Sequence, residues 1–202
     1  PETVVPLNES AELAYQLPAF DVTLGFEPGD FTQVNTDINR KMVSGAVELL
    51  ALTSNDTVLD LFCGIGNFTL PIARHAARVT GVEGDAGLVA RARQNALRNN
   101  IQNAEFFAVD LYGTLDDAPW QHRRFSKALL DPPRSGAAEV LPLLSRSGIE
   151  RLVYVSCHPG TLARDAGELV RQHGYRLLSA GVMDMFPHTA HVESIALFER
   201  GV

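Results

Sequence analysis

The chain has 202 residues, 46% hydrophobic and 20% charged, with a formal net charge of −7. That length suits one domain with a two- or three-layer core, and the acidic balance excludes a domain that grips nucleic acid by charge alone, since neutralising phosphates takes clustered Lys and Arg. Two cysteines, Cys63 and Cys157, exclude a disulfide framework, a four-cysteine zinc site and a cysteine-ligated iron–sulfur cluster.

No apolar run approaches the ~20 residues of a membrane helix. With no basic-then-apolar leader in view, a cytoplasmic enzyme is expected, as a monomer and without a membrane partner. The opening "PETVVPLNESAELAYQLPAF" offers no obvious first element. "FDVTLGFEPGDFTQVN" reads as an extended strand with a turn at Pro28-Gly29. Residues 1–34 are therefore taken as the remnant of an upstream region with extended strands, and residues 35–202 as one catalytic domain.

From Asn35 the pattern becomes regular. Asn35 or Thr36 can cap a helix whose apolar residues Ile38, Met42, Val43, Ala46, Val47 and Leu50 recur at helical spacing. Strands and helices then alternate: "TVLDLF" a strand, "NFTLPIARHA" a helix, "RVTGVE" a strand, and a helix from Asp85 to about Asn99. "AEFFAVD" and "KALLD" are strands, "GAAEVLPLLSRS" is helical, "RLVYVS" is a strand and "GTLARDAGELVRQHG" a helix. "YRLLSAGVMDMF" and "HVESIALFER" close the chain as two strands with little between them. The alternation predicts an α/β fold, a doubly wound and mostly parallel sheet covered on both faces, and the closing pair predicts an antiparallel last strand.

"DLFCGIGNFTL" places G-x-G after a strand and before a helix. Gly64 and Gly66 let backbone approach a ligand, and the helix offers N-terminal N–H groups. About 20 residues on, Glu83 ends the second strand, where a carboxylate can bind both hydroxyls of a ribose. Such a turn also occurs for purely steric reasons; Glu83 and Asp110 at successive strand tips favour an adenosine ligand. Leu70 or Pro71 stands near the place of a third glycine, which turns the reading from NAD toward S-adenosylmethionine.

Asp131 ends the fourth strand in "LLDPPRSGA", where two prolines stop further pairing. Ligands of open α/β sheets bind beyond the carboxyl ends of the strands, so Asp131 shares the crevice of Glu83 and Asp110; a capped turn with a solvated carboxylate is the plainer alternative. Cys157 ends the fifth strand on the same edge, with Pro159 suited to the first turn of the next helix. A helix N-terminus stabilises thiolate, the attacking species. A packing cysteine belongs inside a strand and not at its mouth; Cys63 is read as loop or core packing.

Six segments in order carry a resemblance: "FTQVN", "DLFCGIGNFTLPIA", "GVEG", "LLDPPRSG", "VYVSCHPGTLARD" and "MFPHTAHVESIALFER". From Phe31 onward the chain resembles the RNA uracil-5-methyltransferases, and "GNFTLPIA" is nearest to the branch acting on bacterial 23S ribosomal RNA. The resemblance implies a class I S-adenosylmethionine-dependent methyltransferase fold, Rossmann-like, with seven strands. It implies Cys157 as nucleophile, Glu193 as general base and Asp131 in the pocket. It implies Gln33, Phe62, Gly64, Gly66, Asn67, Glu83, Asp110 and Asp131 as the cofactor-binding set, with S-adenosyl-L-methionine as cofactor and RNA, 23S ribosomal RNA first, as partner. An RNA-binding OB-type domain and an iron–sulfur segment are implied upstream, and no metal within these residues. Asp110 stands where Asn is common in that branch, and His158 where Asn is more usual after the cysteine.

The competing readings are a transfer-RNA uridine methyltransferase, another class I methyltransferase, and a non-catalytic cofactor-binding module. Amino-group methylation uses Asn/Asp-Pro-Pro-aromatic, whereas Arg134 follows the prolines here; RNA cytosine C5 enzymes carry a cysteine just after the fourth strand, and none stands there. His188 and His191 lack the acids or cysteines of a zinc set. Arg123, Arg124, Lys127, Arg134 and Arg164 read either as a basic rim for phosphates or as scattered solvated charges.

Overall fold

The structure, a computed structural model, describes residues 12–113, 115, 118–189 and 191–201. Its first element is a hairpin: β1 (Leu13–Leu17), absent from the sequence reading, pairs antiparallel with β2 (Val22–Phe26), the expected extended strand, as a separate two-stranded sheet. The turn expected at Pro28-Gly29 follows it. The helix α1 (Thr36–Leu50) starts at Asn35, whose side chain accepts the Ile38 N–H at 3.2 Å. That bond satisfies one of the orphan donors of the first turn.

The alternating elements are β3 (Thr57–Leu61), α2 (Thr69–Ala73), β4 (Arg78–Glu83), α3 (Ala86–Arg98), β5 (Ala104–Ala108), β6 (Lys127–Leu130), α4 (Leu141–Arg146), β7 (Arg151–Ser156), α5 (Pro159–Gln172), β8 (Tyr175–Met183) and β9 (Glu193–Arg200). They form a seven-stranded sheet in the order β5-β4-β3-β6-β7-β9-β8. The strands β3 to β7 run parallel, and β9 enters antiparallel between β7 and β8. The expected doubly wound sheet with an antiparallel last strand is thus the observed one.

The chain winds outward from β3 to β5 and then returns to the other side of β3 as β6. This reversal opens a crevice at the carboxyl ends of the strands, where connections leave in opposite directions. Alternation along each strand supplies both faces of the core. Val58, Val153 and Val155 join the cluster that includes Met42, Leu70 and Val89 on one face. Leu59, Leu61, Leu152 and Tyr154 join Trp120, Leu144 and Phe198 on the other.

One expected helix is shorter than its pattern. After Phe68 only Thr69–Ala73 is α-helical, because the chain must turn for β4 to begin in register. The Arg74 N–H closes onto Pro71 O at 3.2 Å and the Ala77 N–H reaches Asp56 O at 2.9 Å, which sets Arg78 opposite Thr57.

The hairpin is bound to the domain by two amides, Asn95 of α3 and Asn99 at its C-cap. Asn95 accepts the Gly25 N–H at 2.8 Å and donates to Gly25 O at 3.1 Å. Asn99 repeats the arrangement on Thr23 at 2.7 and 2.8 Å. The two side chains act as a ladder partner for the β2 edge, whose backbone groups would otherwise be buried unpaired.

Candidate active site

The loop between β3 and α2 bends sharply. Phe62 has φ +65°, a strained conformation for a bulky residue, and Gly64 and Gly66 have φ +52° and +95°. The glycines have different roles. A Cβ at Gly64 would meet nothing within 4 Å, so its face is open to the crevice, whereas one at Gly66 would lie 3.2 Å from Leu70 Cγ. Gly66 is not on the crevice wall; it lets Leu70, near the place of the missing third glycine, pack back against the turn. Glu83, at the tip of β4, braces the loop: its Oε2 accepts the Gly64 N–H and its Oε1 the Asp85 N–H, both at 3.1 Å.

The crevice is a cleft of about 490 Å³. On the β4–β5 side its wall holds Phe62, Gly64, Glu83, Leu88, Asp110 and Tyr112; on the β6–β7 side it holds Asp131, Arg134, Cys157 and Glu193. Gln33, from the segment before α1, and Asn67 also line it. Every residue of the expected catalytic and cofactor-binding set except Gly66 therefore faces one cavity. Asn67 is fixed by a reciprocal amide pair with the buried Asn39, 3.0 Å in each direction, and by the Tyr15 hydroxyl at 2.9 Å.

Sheet register brings Cys157 and Glu193 together. The antiparallel β7–β9 ladder pairs Ser156 with Ser194. Cys157 follows Ser156 and Glu193 precedes Ser194, so the next step out of the sheet carries both into the cleft. Glu193 is only 2% exposed; burial first, and Asp131 second, push its carboxyl up to about 8. Burial pushes Asp131 up to about 7. The Cys157 thiol is also pushed up, by burial and then by Glu193 and Asp131, against smaller opposing effects of a backbone N–H and Arg134.

This last result departs from the sequence expectation of a helix-stabilised thiolate. Pro159 contributes no N–H at the first turn of α5, and His158, the N-cap, turns its Nδ1 onto the Thr161 N–H at 3.1 Å. Two carboxylates and desolvation outweigh what the helix end supplies. A cation entering the cleft would favour the ionised forms of all three groups.

A further acid lies beneath the loop. Asp60 is fully buried, accepts the Thr69 hydroxyl at 2.5 Å, and leaves its Oδ1 without a partner among the described residues. Burial raises its carboxyl to about 8; Thr69 opposes the rise, and Asp131 and Glu83 add to it. Its signal in the sequence was a carboxylate inside the apolar run "TVLDLF". Cys63, read as a packing residue, is 4% exposed, and a Cβ on Gly81 would lie 3.0 Å from its sulfur.

The sequence reading missed Tyr15, Phe31, Leu88, Tyr112 and Phe186 on the cleft wall. Tyr112 follows Asp110 by two residues, a detectable neighbour; Tyr15 reaches the cleft only through the hairpin fold. Of the five cations considered as a rim, only Arg134 lines the cleft. Arg123 pairs with Glu105, Lys127 with Asp56 and Arg164 with Asp165, and the Arg124 side chain lies against Gly148. His191 stands edge-on to Phe186 at 6.1 Å between centroids. Among the described residues no group of three or more His, Cys, Asp and Glu is placed to hold a metal ion, and no helix is long and apolar enough to cross a membrane.

Residues 16–201 match the family described as tRNA (Uracil-5-)-methyltransferase. The chain is 60% identical over 200 residues to the 23S rRNA (uracil(1939)-C(5))-methyltransferase RlmD of Xanthomonas axonopodis pv. citri, covering 98% of this chain and 45% of that protein. It is 62% identical over 188 residues to the protein of that name from Alkalilimnicola ehrlichii, covering 93% of this chain and 42% of that one. It thus spans slightly less than half of these relatives. Among solved structures it is similar to the Pyrococcus abyssi tRNA (uracil-54, C5)-methyltransferase in complex with S-adenosyl-L-homocysteine, with TM-score 0.78 and 30% identity, over 93% of this chain and 44% of that one. A likeness to M. jannaschii TYW2 in complex with AdoMet, at TM-score 0.69 and 16% identity over 98% of this chain and 90% of that one, concerns the fold alone.

Proposed function

The chain belongs to the tRNA (uracil-5-)-methyltransferase family, and from that premise we propose that it transfers a methyl group from S-adenosylmethionine to C5 of a uridine in 23S ribosomal RNA, through a covalent bond between Cys157 and C6. The observation that carries the proposal is the single cleft shared by Cys157, Glu193 and Asp131 with the loop that Glu83 braces. In this reading residues 35–202 are the body of the catalytic domain, the hairpin and the segment before α1 add Tyr15 and Gln33 to its cleft, and the enzyme works in the cytoplasm as a monomer.

The cleft fits an adenosyl ligand. Gly64 presents bare backbone to the open space, Glu83 stands at a strand tip with both oxygens oriented by backbone N–H groups, and the Phe62 and Tyr112 rings lie 5.8 Å apart beside Leu88 on the same wall. Glu83 would take the ribose hydroxyls, Phe62, Leu88 and Tyr112 the base, and Gln33, Asn67, Asp110 and Asp131 the remaining polar edges. When bound, S-adenosylmethionine supplies an electrophilic methyl on a sulfonium.

Uracil C5 is a poor nucleophile until C6 is substituted. The Cys157 thiolate adds to C6, and the electron pair of the C5–C6 bond moves into an enolate that makes C5 nucleophilic. After C5 has gained the methyl, Glu193 as carboxylate takes the C5 proton, the double bond reforms, and the sulfur leaves C6 as thiolate. A carboxyl with a pKa near neutrality suits that exchange. Asp131, half-buried in the cleft, is available to hydrogen-bond the uracil edge. A base must leave its stack to enter such a pocket, so the target is an unpaired or flipped nucleotide.

The family description and the Pyrococcus abyssi protein support a second reading, a uridine of transfer RNA. The roughly twofold higher identity to the ribosomal RNA enzymes favours the first. Mass mapping of the RNA modification lost on deletion of the full-length gene tests both: loss of a 5-methyluridine from 23S RNA is expected, and loss from transfer RNA alone would give the second.

A further inference from the structure

Three segments around the cleft meet on one carboxylate that the chemistry above does not use. Asp165, in the second turn of α5, is fully buried. Its Oδ2 accepts the Tyr154 hydroxyl at 2.7 Å and the Ala137 N–H at 2.8 Å, and its Oδ1 accepts Arg164 Nε at 2.7 Å. Tyr154 lies on β7, three residues before Cys157, and Ala137 ends the loop that begins at Asp131. One side chain therefore joins β7, α5 and the loop leaving β6.

The middle of that loop is gripped as well. Arg164 Nη2 donates to Ser135 O at 2.8 Å. Gly136, at φ +86°, lies so close that a Cβ would come within 2.6 Å of Asp165 Oδ2 and 2.5 Å of Arg164 Nη2. From the loop after β5, the Tyr112 hydroxyl lies 2.8 Å from Ser135 Oγ and donates to Gly136 O at 3.0 Å. The Tyr112 ring faces Phe62 in the cleft. Pro132 and Pro133 stiffen the remaining stretch.

We propose that Asp165 and Tyr112 are positioning residues: between them they hold residues 132–137 as a strap across the cleft, and the strap fixes Asp131 and Arg134 relative to Cys157. Neither acts on the reacting atoms. Asp165 ties the strap to the helix that follows the nucleophile, and Tyr112 ties it to the wall of the adenosyl end. What the strap positions rests on the methyltransferase reading; the strap itself does not.

Asp165→Asn keeps an acceptor for Tyr154 and Ala137 and loses the pairing with Arg164, while Tyr112→Phe keeps the ring and removes only the bonds to Ser135 and Gly136. The first readout needs no activity: trypsin cleavage after Arg134, followed by mass spectrometry. A segment pinned on both sides is a poor protease substrate, so each variant should be cut there about fivefold faster or more, with the rest of the map unchanged. The second readout is methyl transfer to RNA: for Asp165→Asn, kcat should fall about tenfold with the donor dissociation constant within about twofold of the parent. The double variant should fall less than the product of the singles, because both release the same loop.

Unchanged cleavage at Arg134 in both variants would overturn the strap, and raised cleavage with undiminished turnover would overturn its positioning role. If Asp165→Asn does not fold, Tyr112→Phe decides the question by cleavage after Arg134 and by kcat at saturating donor. A parent chain that methylates no RNA would refute the activity, and the strap would then stand or fall on cleavage alone.

Discussion

Cys157 and Glu193 stand one step beyond the last rung of the β7–β9 ladder, Ser156 opposite Ser194. An antiparallel register sends paired residues to the same face, so two side chains 36 positions apart enter one cleft without any loop having to place them. A one-residue slip of β9 would turn Glu193 away from the cleft and bring Val192 or Ser194 to Cys157's level. The reaction proposed above asks the pair for opposite duties, attack on C6 and removal of the proton at C5, and the ladder supplies that proximity.

If the sulfur makes the covalent bond, Cys157→Ala should abolish methyl transfer, by at least ~10³-fold, because the uncatalysed C5 is too weak a nucleophile. Donor binding should be retained, since Gly64 and Glu83 are untouched. A transfer assay with tritiated donor and calorimetric titration of the donor check the two halves. Turnover persisting within about tenfold of the parent would remove the covalent route.

Glu193→Gln interrupts the sequence later. Addition and methylation can still occur, but an amide cannot take the C5 proton, so the C6–S bond stays closed. The expected outcome is a protein–RNA species that survives denaturation, seen as a shifted band that Cys157→Ala does not form. Its absence with RNA that the parent methylates would assign the base elsewhere.

At the proposed adenosyl end, Glu83 accepts the Gly64 and Asp85 N–H groups. Glu83→Gln keeps the length but gives up the charge and one acceptor, so the donor should bind about tenfold to hundredfold more weakly, the equivalent of ~1.5–3 kcal/mol for a hydrogen bond to a charged group. Titration calorimetry on the folded variant measures it. Unaltered affinity would mean that Glu83 only braces the loop.

The sheet was legible because each buried strand is a short apolar run ended by a polar residue at the same edge: Glu83 at the end of β4, Asp131 after β6 and Cys157 after β7. Those same endings put three residues on the cleft wall. What local pattern hid was cooperation at a distance. The hairpin depends on Asn95 of α3 and Asn99 at its C-cap, about 70 residues further on, and "VTLGF" carries no trace of them. Gly66 reads like Gly64 in a motif, yet one packs on Leu70 and the other faces open space. The strap depends on Tyr112 and Asp165, each ordinary in its own segment. Charge pairing likewise decided the cations: Lys127 and Arg164 read as free until Asp56 and Asp165 were seen beside them.

The buried acids in and beneath the cleft also predict how stability follows pH. Glu193 rises from 4.5 to about 8, Asp131 from 3.8 to about 7 and Asp60 from 3.8 to about 8. A carboxyl raised in the folded state holds its proton where the unfolded chain has lost it, so the folded chain binds more protons between those limits. Stability is then full below the ordinary carboxylate range and declines as pH rises through about 5 to 8. The ligand-free chain should therefore melt at a falling temperature across that window, measured by calorimetry in buffers of matched ionic strength. Glu193→Gln removes one of the three contributions, so its melting curve should descend less steeply and lie above the parent's near pH ~8. Parallel curves for parent and variant would show that Glu193 ionises in the folded chain as it does in the unfolded one, and would take away the physical reason for a base poised near neutrality.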